Sequence, residues 1–187
     1  MTDQELLRAY AESSDRESLG TFLTRYQGSL VRFAGRLLGD ADAAQDVVQE
    51  TFLQVARHPT RLLEVENCHN WLLRVVRNIG ISRIRHDARA RKHAEAFMEQ
   101  ATATAAERTE AAALTLEAEE ARAKVRAAIG RLQPRYREVI LLKIQEEKSY
   151  KEISEITGLT VTNVGYMLHR AMKELTARLE STRETLS

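Results

Sequence analysis

The chain has 187 residues, a formal net charge of +1 and 43% hydrophobic residues, enough for a packed core in one domain or two small ones. Two prolines and eight glycines exclude a collagen-like or low-complexity chain. No apolar run approaches the length of about eighteen residues that a membrane span needs, and the polar start of the chain does not resemble a secretory signal. The single cysteine, Cys68, excludes an internal disulfide framework and favours a cytoplasmic location.

The near-zero total charge hides four blocks of alternating sign. Residues 1–73 carry a net charge of −4 and residues 74–92 a net charge of +6. Residues 93–121 carry −6 and residues 122–187 carry +5. Two basic blocks on either side of an acidic one allow two separate contacts with a polyanion such as nucleic acid, although solvated arginine-rich helix faces explain the same pattern.

Abundant Ala, Leu, Glu and Arg with almost no proline predict an all-α protein. In the first half of the chain, two predicted capping boxes, Thr2-Asp-Gln-Glu5 and Ser14-Asp-Arg-Glu17, open helices near 3–13 and 15–38. The apolar spacing then predicts a helix over about 42–57, a loop over 59–69 and a helix from Asn70 to past Arg85.

The second half begins with a change in composition. Residues 88–118 are rich in Ala, Glu and Thr and contain few large apolar side chains, which predicts a partly helical linker. Helices are predicted from near 119 to Leu132, over 135–145, over 150–157 and from about 160 to 179. A third predicted capping box, Ser149-Tyr-Lys-Glu152, opens the helix over 150–157, and Thr160 or Thr162 can cap the last helix. We therefore expect two small helical domains, 1–90 and 119–187, joined by a linker over 91–118.

The last two predicted helices have the pattern of a helix-turn-helix. Gly158 is placed to end the shorter helix in a left-handed conformation, and Leu159 fills the turn. One face of the longer helix is apolar. Its other face carries hydrogen-bonding and cationic groups suited to base edges and phosphates, namely Thr162, Asn163, Tyr166, His169, Arg170 and Lys173. An ordinary helical hairpin with a polar outside gives the same pattern.

The helix over 42–57 carries an acidic stripe, which we define as Asp42, Asp46, Gln49, Glu50 and Leu53. These positions recur at helical spacing on one side of the helix, away from its apolar side. Carboxylates around an exposed leucine are a plausible docking surface for a basic helix, and a solvated acidic face is the alternative.

A basic stretch follows the predicted loop. Arginines and an asparagine share one face of the helix that starts at Asn70, and the end of the loop is polar. Such a loop beside an arginine-bearing helix can take up an unstacked base, whereas the lone Trp71 is expected in the core. The candidate DNA-binding residues here are Asn67, His69, Asn70, Arg74, Arg77, Asn78 and Arg85.

These motifs, in this order, resemble the extracytoplasmic-function (ECF) sigma factors, the smallest of the bacterial sigma-seventy class. The matching residues are Asp42-Ala43, Asp46, Gln49-Glu50 and Phe52; Trp71-Leu72, Arg77-Asn78 and Arg83; and Leu132, Pro134, Tyr136-Arg137, Ile140, Glu152-Ile153, Gly158-Leu159, Val164, Leu168-His169-Arg170-Ala171 and Leu175. The resemblance spans roughly 15–90 and 120–180.

The resemblance implies an alternative sigma factor that binds core RNA polymerase and directs promoter-specific initiation. It assigns the acidic stripe to the clamp helices of the beta-prime subunit and the loop with its following helix to a flipped base of the minus-ten element. It assigns the helix-turn-helix to the minus-thirty-five element and the beta flap, and the linker to the polymerase channels. It also allows an anti-sigma factor as a further partner.

The predicted recognition helix departs from the family pattern at two positions. Gly165 stands where a cation is usual, and Tyr166 stands where a small residue is usual. This departure concerns which minus-thirty-five sequence is read, not DNA binding as such. Gly165 costs about 1 kcal/mol of helix stability relative to alanine, which suggests that a side chain is too large there or that a partner tunes the helix.

The sequence has two alternative interpretations, a two-module DNA-binding regulator and a helical enzyme. A two-module regulator that dimerises through residues 1–90 explains the helix-turn-helix but not the acidic stripe followed by a basic helix. A helical enzyme lacks support because no nucleophile motif, phosphate loop or HExxH occurs. The adjacent pair Cys68-His69 cannot supply four metal ligands. We therefore expect no catalytic residues, no metal and no cofactor.

Overall fold

A computed structural model of the chain describes residues 1–95 and 116–184, and the all-α prediction is confirmed within them. In chain order the helices are α1 (Asp3–Ser13), α2 (Arg16–Leu38), α3 (Ala41–Arg57), α4 (Thr60–Leu63), α5 (Cys68–Glu95), α6 (Leu116–Gly130), α7 (Pro134–Ile144), α8 (Tyr150–Thr157) and α9 (Val161–Glu184).

Helices α1 to α5 pack as the first module, with α2 at its centre. Helix α2 contacts α1, α3 and α5, and α3 also contacts α5. The apolar side of α2 buries Phe33 and Leu37 completely, α3 buries Val55 and α5 buries Leu72. Because α3 and α5 are neighbours, the acidic stripe and the basic face belong to one rigid unit.

The start of α2 corrects one prediction. Ser14 does not cap α2; it ends α1 in the left-handed region at φ 56°, and its N–H donates to the Tyr10 carbonyl. Asp15 is the cap of α2, and its carboxylate accepts hydrogen bonds from the Glu17 N–H at 3.1 Å and the Ser18 hydroxyl at 2.6 Å. The predicted capping box at Ser14 is therefore wrong by one residue, since a carboxylate caps as well as a hydroxyl.

The predicted loop over 59–69 is also partly wrong. It contains the short helix α4, and α5 begins at Cys68 instead of Asn70. Burial explains the extra helix, because Leu62 is fully buried and the Gln4 side-chain amide donates to the carbonyls of Leu62 and Val65 at 3.2 and 3.1 Å. These contacts with α1 are tertiary and leave no local pattern in the sequence.

The predicted linker is helical at both ends, since α5 extends to Glu95 and α6 begins at Leu116. The rest of it, residues 96–115, lies outside the described residues.

Helices α6 to α9 form the second module, in which α9 contacts the other three helices. Pro134 occupies the first turn of α7, where its missing N–H costs nothing. The Ser149 capping box and the left-handed Gly158, at φ 76°, are confirmed. Of the two proposed caps for α9, Thr160 caps it, because its hydroxyl accepts a hydrogen bond from the Asn163 N–H at 3.2 Å. Helices α8 and α9 are the two members of the helix-turn-helix.

The two modules contact each other. Helix α8 packs on α5, and α6 and α7 pack on α2. One guanidinium N–H of Arg137 donates to the Leu37 carbonyl at the end of α2, at 2.8 Å. The basic face of α5 therefore lies beside the second module instead of facing solvent throughout.

Candidate functional site

The acidic stripe of α3 is an accessible surface. Its five residues are all exposed, and 48% of the apolar Leu53 is accessible. Asp40 caps the helix by accepting a hydrogen bond from the Ala43 N–H at 2.9 Å. The opposite side of α3 is buried in the core, which fixes the direction in which the stripe faces.

Arg83 of α5 reaches this stripe. Its guanidinium lies 3.4 Å from a carboxylate oxygen of Asp46 and 3.7 Å from one of Glu50. These ion pairs are exposed and add little to stability. They show that the two carboxylates can share one guanidinium, the group that a basic partner would present. Sequence reasoning missed this contact because no local spacing relates Arg83 to residues so far back in the chain.

The polar loop before α5 is held by Asn67. Its side-chain carbonyl accepts a hydrogen bond from the Asn70 N–H at 3.0 Å, so Asn67 caps the helix while remaining exposed. Asn70 is buried; its side-chain amide donates to Glu152 at 3.2 Å and its carbonyl oxygen has no hydrogen-bond partner. A buried acceptor of this kind is costly unless a ligand or water satisfies it.

A cavity of about 330 Å³ opens at this loop. Asn67, Trp71 and Arg74 line one side of it, and Glu155 of α8 lines the other. Its volume is that of a small-ligand site. Trp71 is half-buried and packs against the core, as the sequence predicted, but it also contributes to this wall. The loop residues therefore surround a space that an unstacked base can enter.

The predicted minus-ten residues divide into two groups. Arg74, Asn78 and Arg85 are exposed, as is Asn67. His69, Asn70 and Arg77 instead contact the second module. Arg77 forms two parallel hydrogen bonds to Glu138, of 2.6 and 3.0 Å.

His69 lies in the same contact region. The Ser29 hydroxyl is 3.0 Å from its Nε2, and Lys148 Nζ is 3.4 Å from its Nδ1. Its ring also stacks on Tyr26. Burial, and secondarily the positive charge of Lys148, lower the pKa of His69, so the imidazole is neutral at pH 7.

The outer face of α9 is entirely accessible. All six residues assigned to DNA recognition are exposed, with 60% of Tyr166 accessible. The inner face is buried, including Val164 and Ala171, as predicted. A hydrogen bond with the Tyr136 hydroxyl raises the pKa of Arg170, which links this cation to α7. The polar face needs no rearrangement to enter a groove.

Gly165 has room for a side chain. A Cβ atom built on it lies 3.5 Å from Cε2 of Tyr150, which is ordinary van der Waals contact. The suggestion that a side chain is too large at this position is therefore wrong for alanine.

We expect Gly165→Ala to stabilise the protein by up to about 1 kcal/mol, because alanine restricts the unfolded chain and fits the helix. The free energy of unfolding in urea measures this. Gly158→Ala is the matched control; it should destabilise by about 1–2 kcal/mol, because Gly158 has a positive φ. A loss of stability in Gly165→Ala would contradict the available space.

The described residues also bear on metal binding and membrane insertion. Within 1–95 and 116–184 no three His, Cys, Asp or Glu side chains lie together as metal ligands would. Cys68 is buried, and that burial raises the pKa of its thiol to about 11. No helix in the described part of the chain has the length and apolarity required to cross a membrane.

Sequence reasoning missed the acidic residues of the second module that meet α5 and α2, namely Glu138, Glu146 and Glu152. One signal was present for Glu138. It lies on the stripe of α7 that continues through the buried Leu141 and Leu142, and a carboxylate on an apolar stripe indicates a buried partner. No signal identified that partner as Arg77.

The two modules match two known families. Residues 22–90 match Sigma-70 region 2, and residues 122–175 match Sigma-70, region 4. The ECF RNA polymerase sigma factor EcfG of Rhodopseudomonas palustris is 30% identical over 151 residues, covering 81% of this chain and 79% of that protein. The ECF RNA polymerase sigma factor SigL of Mycobacterium tuberculosis is 31% identical over 153 residues, covering 81% and 82%.

A solved structure has the same fold. The sigma factor RpoE from Bartonella quintana, in complex with the anti-sigma factor NepR, matches with a TM-score of 0.68 at 22% identity, covering 86% of this chain and 96% of that one. The chain belongs to the ECF RNA polymerase sigma factors. It is an alternative sigma factor, which binds core RNA polymerase and promoter DNA to direct initiation.

Proposed function

We propose that this sigma factor uses three separate surfaces in initiation, and that the acidic stripe of α3 is the one that holds core RNA polymerase. Asp46 and Glu50 are exposed, carry like charges one helical turn apart and already accept a guanidinium from Arg83. A basic face on the clamp helices of the beta-prime subunit would replace Arg83, with Leu53 filling an apolar contact.

The loop before α5 and the exposed face of α5 form the second surface, which takes the minus-ten element. The wall of the cavity that belongs to the first module, formed by Asn67, Trp71 and Arg74, takes a flipped base. Arg74, Asn78 and Arg85 bind the adjoining backbone, with His69 and Arg77 joining them once they are free of the second module. The observation that supports the minus-ten assignment is a polar cavity next to exposed cations of α5.

The outer face of α9 is the third surface and reads the minus-thirty-five element, while the second module touches the beta flap. Six polar residues on one exposed helix face suit the major groove. The acidic linker would run through the polymerase channels that otherwise admit RNA. We further propose that the protein works in the cytoplasm, has no catalytic activity of its own and is a target for an anti-sigma factor.

The test is in vitro transcription with purified core polymerase over a library of promoter sequences. We expect initiation to depend on the added protein and to select both a minus-ten and a minus-thirty-five motif. A two-module regulator would bind DNA but would neither co-purify with core polymerase nor support initiation without another sigma factor. That result would overturn the proposal.

Arg170→Ala should weaken binding to double-stranded DNA that carries the selected minus-thirty-five motif. If Arg170 contacts a phosphate, the slope of log affinity against log salt should fall in magnitude by about 1. Fluorescence anisotropy on the full chain at several salt concentrations measures both. Arg16→Ala, at an exposed position at the start of α2, removes one charge far from α9 and should change neither quantity. An unchanged slope and affinity in Arg170→Ala would remove this residue from the surface.

A further inference from the structure

Three carboxylates of the second module lie on groups of the first module that we assign to the minus-ten element. Glu138 binds Arg77 through two hydrogen bonds of 2.6 and 3.0 Å. Glu152 accepts from the Asn70 amide at 3.2 Å. Glu146 accepts from the Ser29 hydroxyl at 2.7 Å and lies 3.5 Å from His69 Nε2. Each contact crosses from one module to the other.

The contact is specific, because its buried carboxylates are matched by donors of the first module, Arg77 for Glu138 and the Ser29 hydroxyl for Glu146. The side chain of Glu138 is 4% exposed, that of Glu146 is 5% exposed and that of Arg77 is 17% exposed. Buried charges are costly unless paired in good geometry, and two parallel guanidinium–carboxylate bonds are the strongest such arrangement. Removing one partner of the Arg77–Glu138 pair would leave an uncompensated charge.

Glu152 is held in its charged form. Hydrogen bonds from the Ser149 backbone and hydroxyl, with a smaller contribution from Asn70, lower its pKa to about 2. Lys148 lies 3.6 Å from the same carboxylate and 3.4 Å from His69, so it bridges the two groups. The second module thus presents fixed negative charge at the edge of the minus-ten surface.

These carboxylates accept hydrogen bonds from the donors that DNA would use. Arg77 and Asn70 offer N–H donors, and phosphate oxygens or base-edge acceptors would use the same donors. Helix α8 also closes one side of the cavity at Asn67 through Glu155. A strand of DNA and the second module cannot occupy this face together.

We propose that the free protein inhibits itself: the second module covers the minus-ten surface through Glu138, Glu146 and Glu152, and it must move away before promoter DNA binds. This inference rests on the proposed assignment of the minus-ten surface. The acidic stripe and the outer face of α9 remain exposed while the modules are in contact. Core polymerase and the minus-thirty-five element can therefore engage first, and separation of the modules follows.

The test uses the full chain with Glu138→Gln and Glu146→Gln combined. These substitutions keep the side-chain shape and remove the negative charges to which Arg77 and the Ser29 hydroxyl donate. Glu152 is left intact because it also caps α8. Glu174→Gln combined with Glu180→Gln is the matched control, since it removes two charges from α9, a helix that contains none of the three carboxylates. Circular dichroism checks that each variant folds.

Two measurements are made on wild type, variant and control. Small-angle X-ray scattering gives the radius of gyration, which should increase in the variant alone. Fluorescence anisotropy with a labelled single-stranded oligonucleotide that carries the selected minus-ten motif gives affinity. We expect the variant to bind about tenfold more tightly than the control, because a charged hydrogen-bonded pair no longer competes with the DNA.

Either of two results overturns the proposal. An unchanged radius of gyration shows that the carboxylates do not hold the modules together. An increased radius with unchanged affinity shows that separation does not uncover the DNA-binding face. If the double variant does not fold, the single Glu146→Gln variant, in the turn after α7, is measured in the same way. If the proposed function is wrong, the protein will select no promoter with core polymerase. The radius of gyration would still show whether the carboxylates hold the two modules in contact.

Discussion

Reversing the charges of Asp46 and Glu50 together, as Asp46→Arg with Glu50→Arg, should abolish binding to core RNA polymerase. Both side chains are exposed, at 66% and 50%, so the substitutions introduce no buried charge. A basic partner would then face two guanidinium groups in place of two carboxylates. Juxtaposed like charges at a docking surface cost several kcal/mol, and we expect affinity to fall by at least about 100-fold.

Surface plasmon resonance on immobilised core polymerase measures this affinity, with circular dichroism confirming the fold. The check of the fold is needed because Arg83 loses two ion partners in the variant and lies beside two new cations. The variant Glu12→Arg with Glu17→Arg is the matched control, because it makes the same change of charge at exposed positions of α1 and α2. Equal affinity of the folded test variant and the control for core polymerase would exclude the acidic stripe as the docking surface.

The second large effect is expected at the minus-ten element, with Asn67→Ser. Serine keeps an oxygen that can cap α5, as the Asn67 carbonyl does at 3.0 Å from the Asn70 N–H. It removes the amide that would read a base edge in the cavity. We expect the preference at one minus-ten position to relax by about 5- to 150-fold, which corresponds to the usual 1–3 kcal/mol per base pair.

Transcription from the promoter library, with wild type and Asn67→Ser in parallel, reports this change position by position. Asn67→Asp is a useful companion, since it also caps α5 but presents a carboxylate to the DNA. Gln45→Ser, at an exposed position on α3 away from the loop, is the control for loss of an amide. Unaltered base preference in both Asn67 variants would place base recognition elsewhere.

The helical architecture was predictable wherever local chemistry determines it. Ser149 and Glu152 form the predicted capping box, and Gly158 adopts the predicted left-handed conformation. The acidic stripe and the face of α9 followed from helical spacing, and the structure leaves both exposed. Such features depend on residues within one or two turns, so the sequence records them directly.

Features that depend on distant residues were not predictable. Helix α4 forms because Leu62 is buried against α1, and Arg83 reaches Asp46 across two helices. Arg77 was assigned to DNA from its place on a basic face, and its contact with Glu138 lies 61 residues away in sequence. A pattern of charges shows which groups are available; it does not show which of them a folded chain has already paired.

The Arg77–Glu138 pair also limits how the two halves of such proteins can be exchanged. A chimera that joins this first module to a second module with an apolar residue at the position of Glu138 inherits a guanidinium without its carboxylate. Leaving one member of a buried pair without its partner costs about 3–5 kcal/mol while the two modules are in contact. The two modules of the chimera would therefore remain separated. We expect the two modules of such a protein to be inherited together.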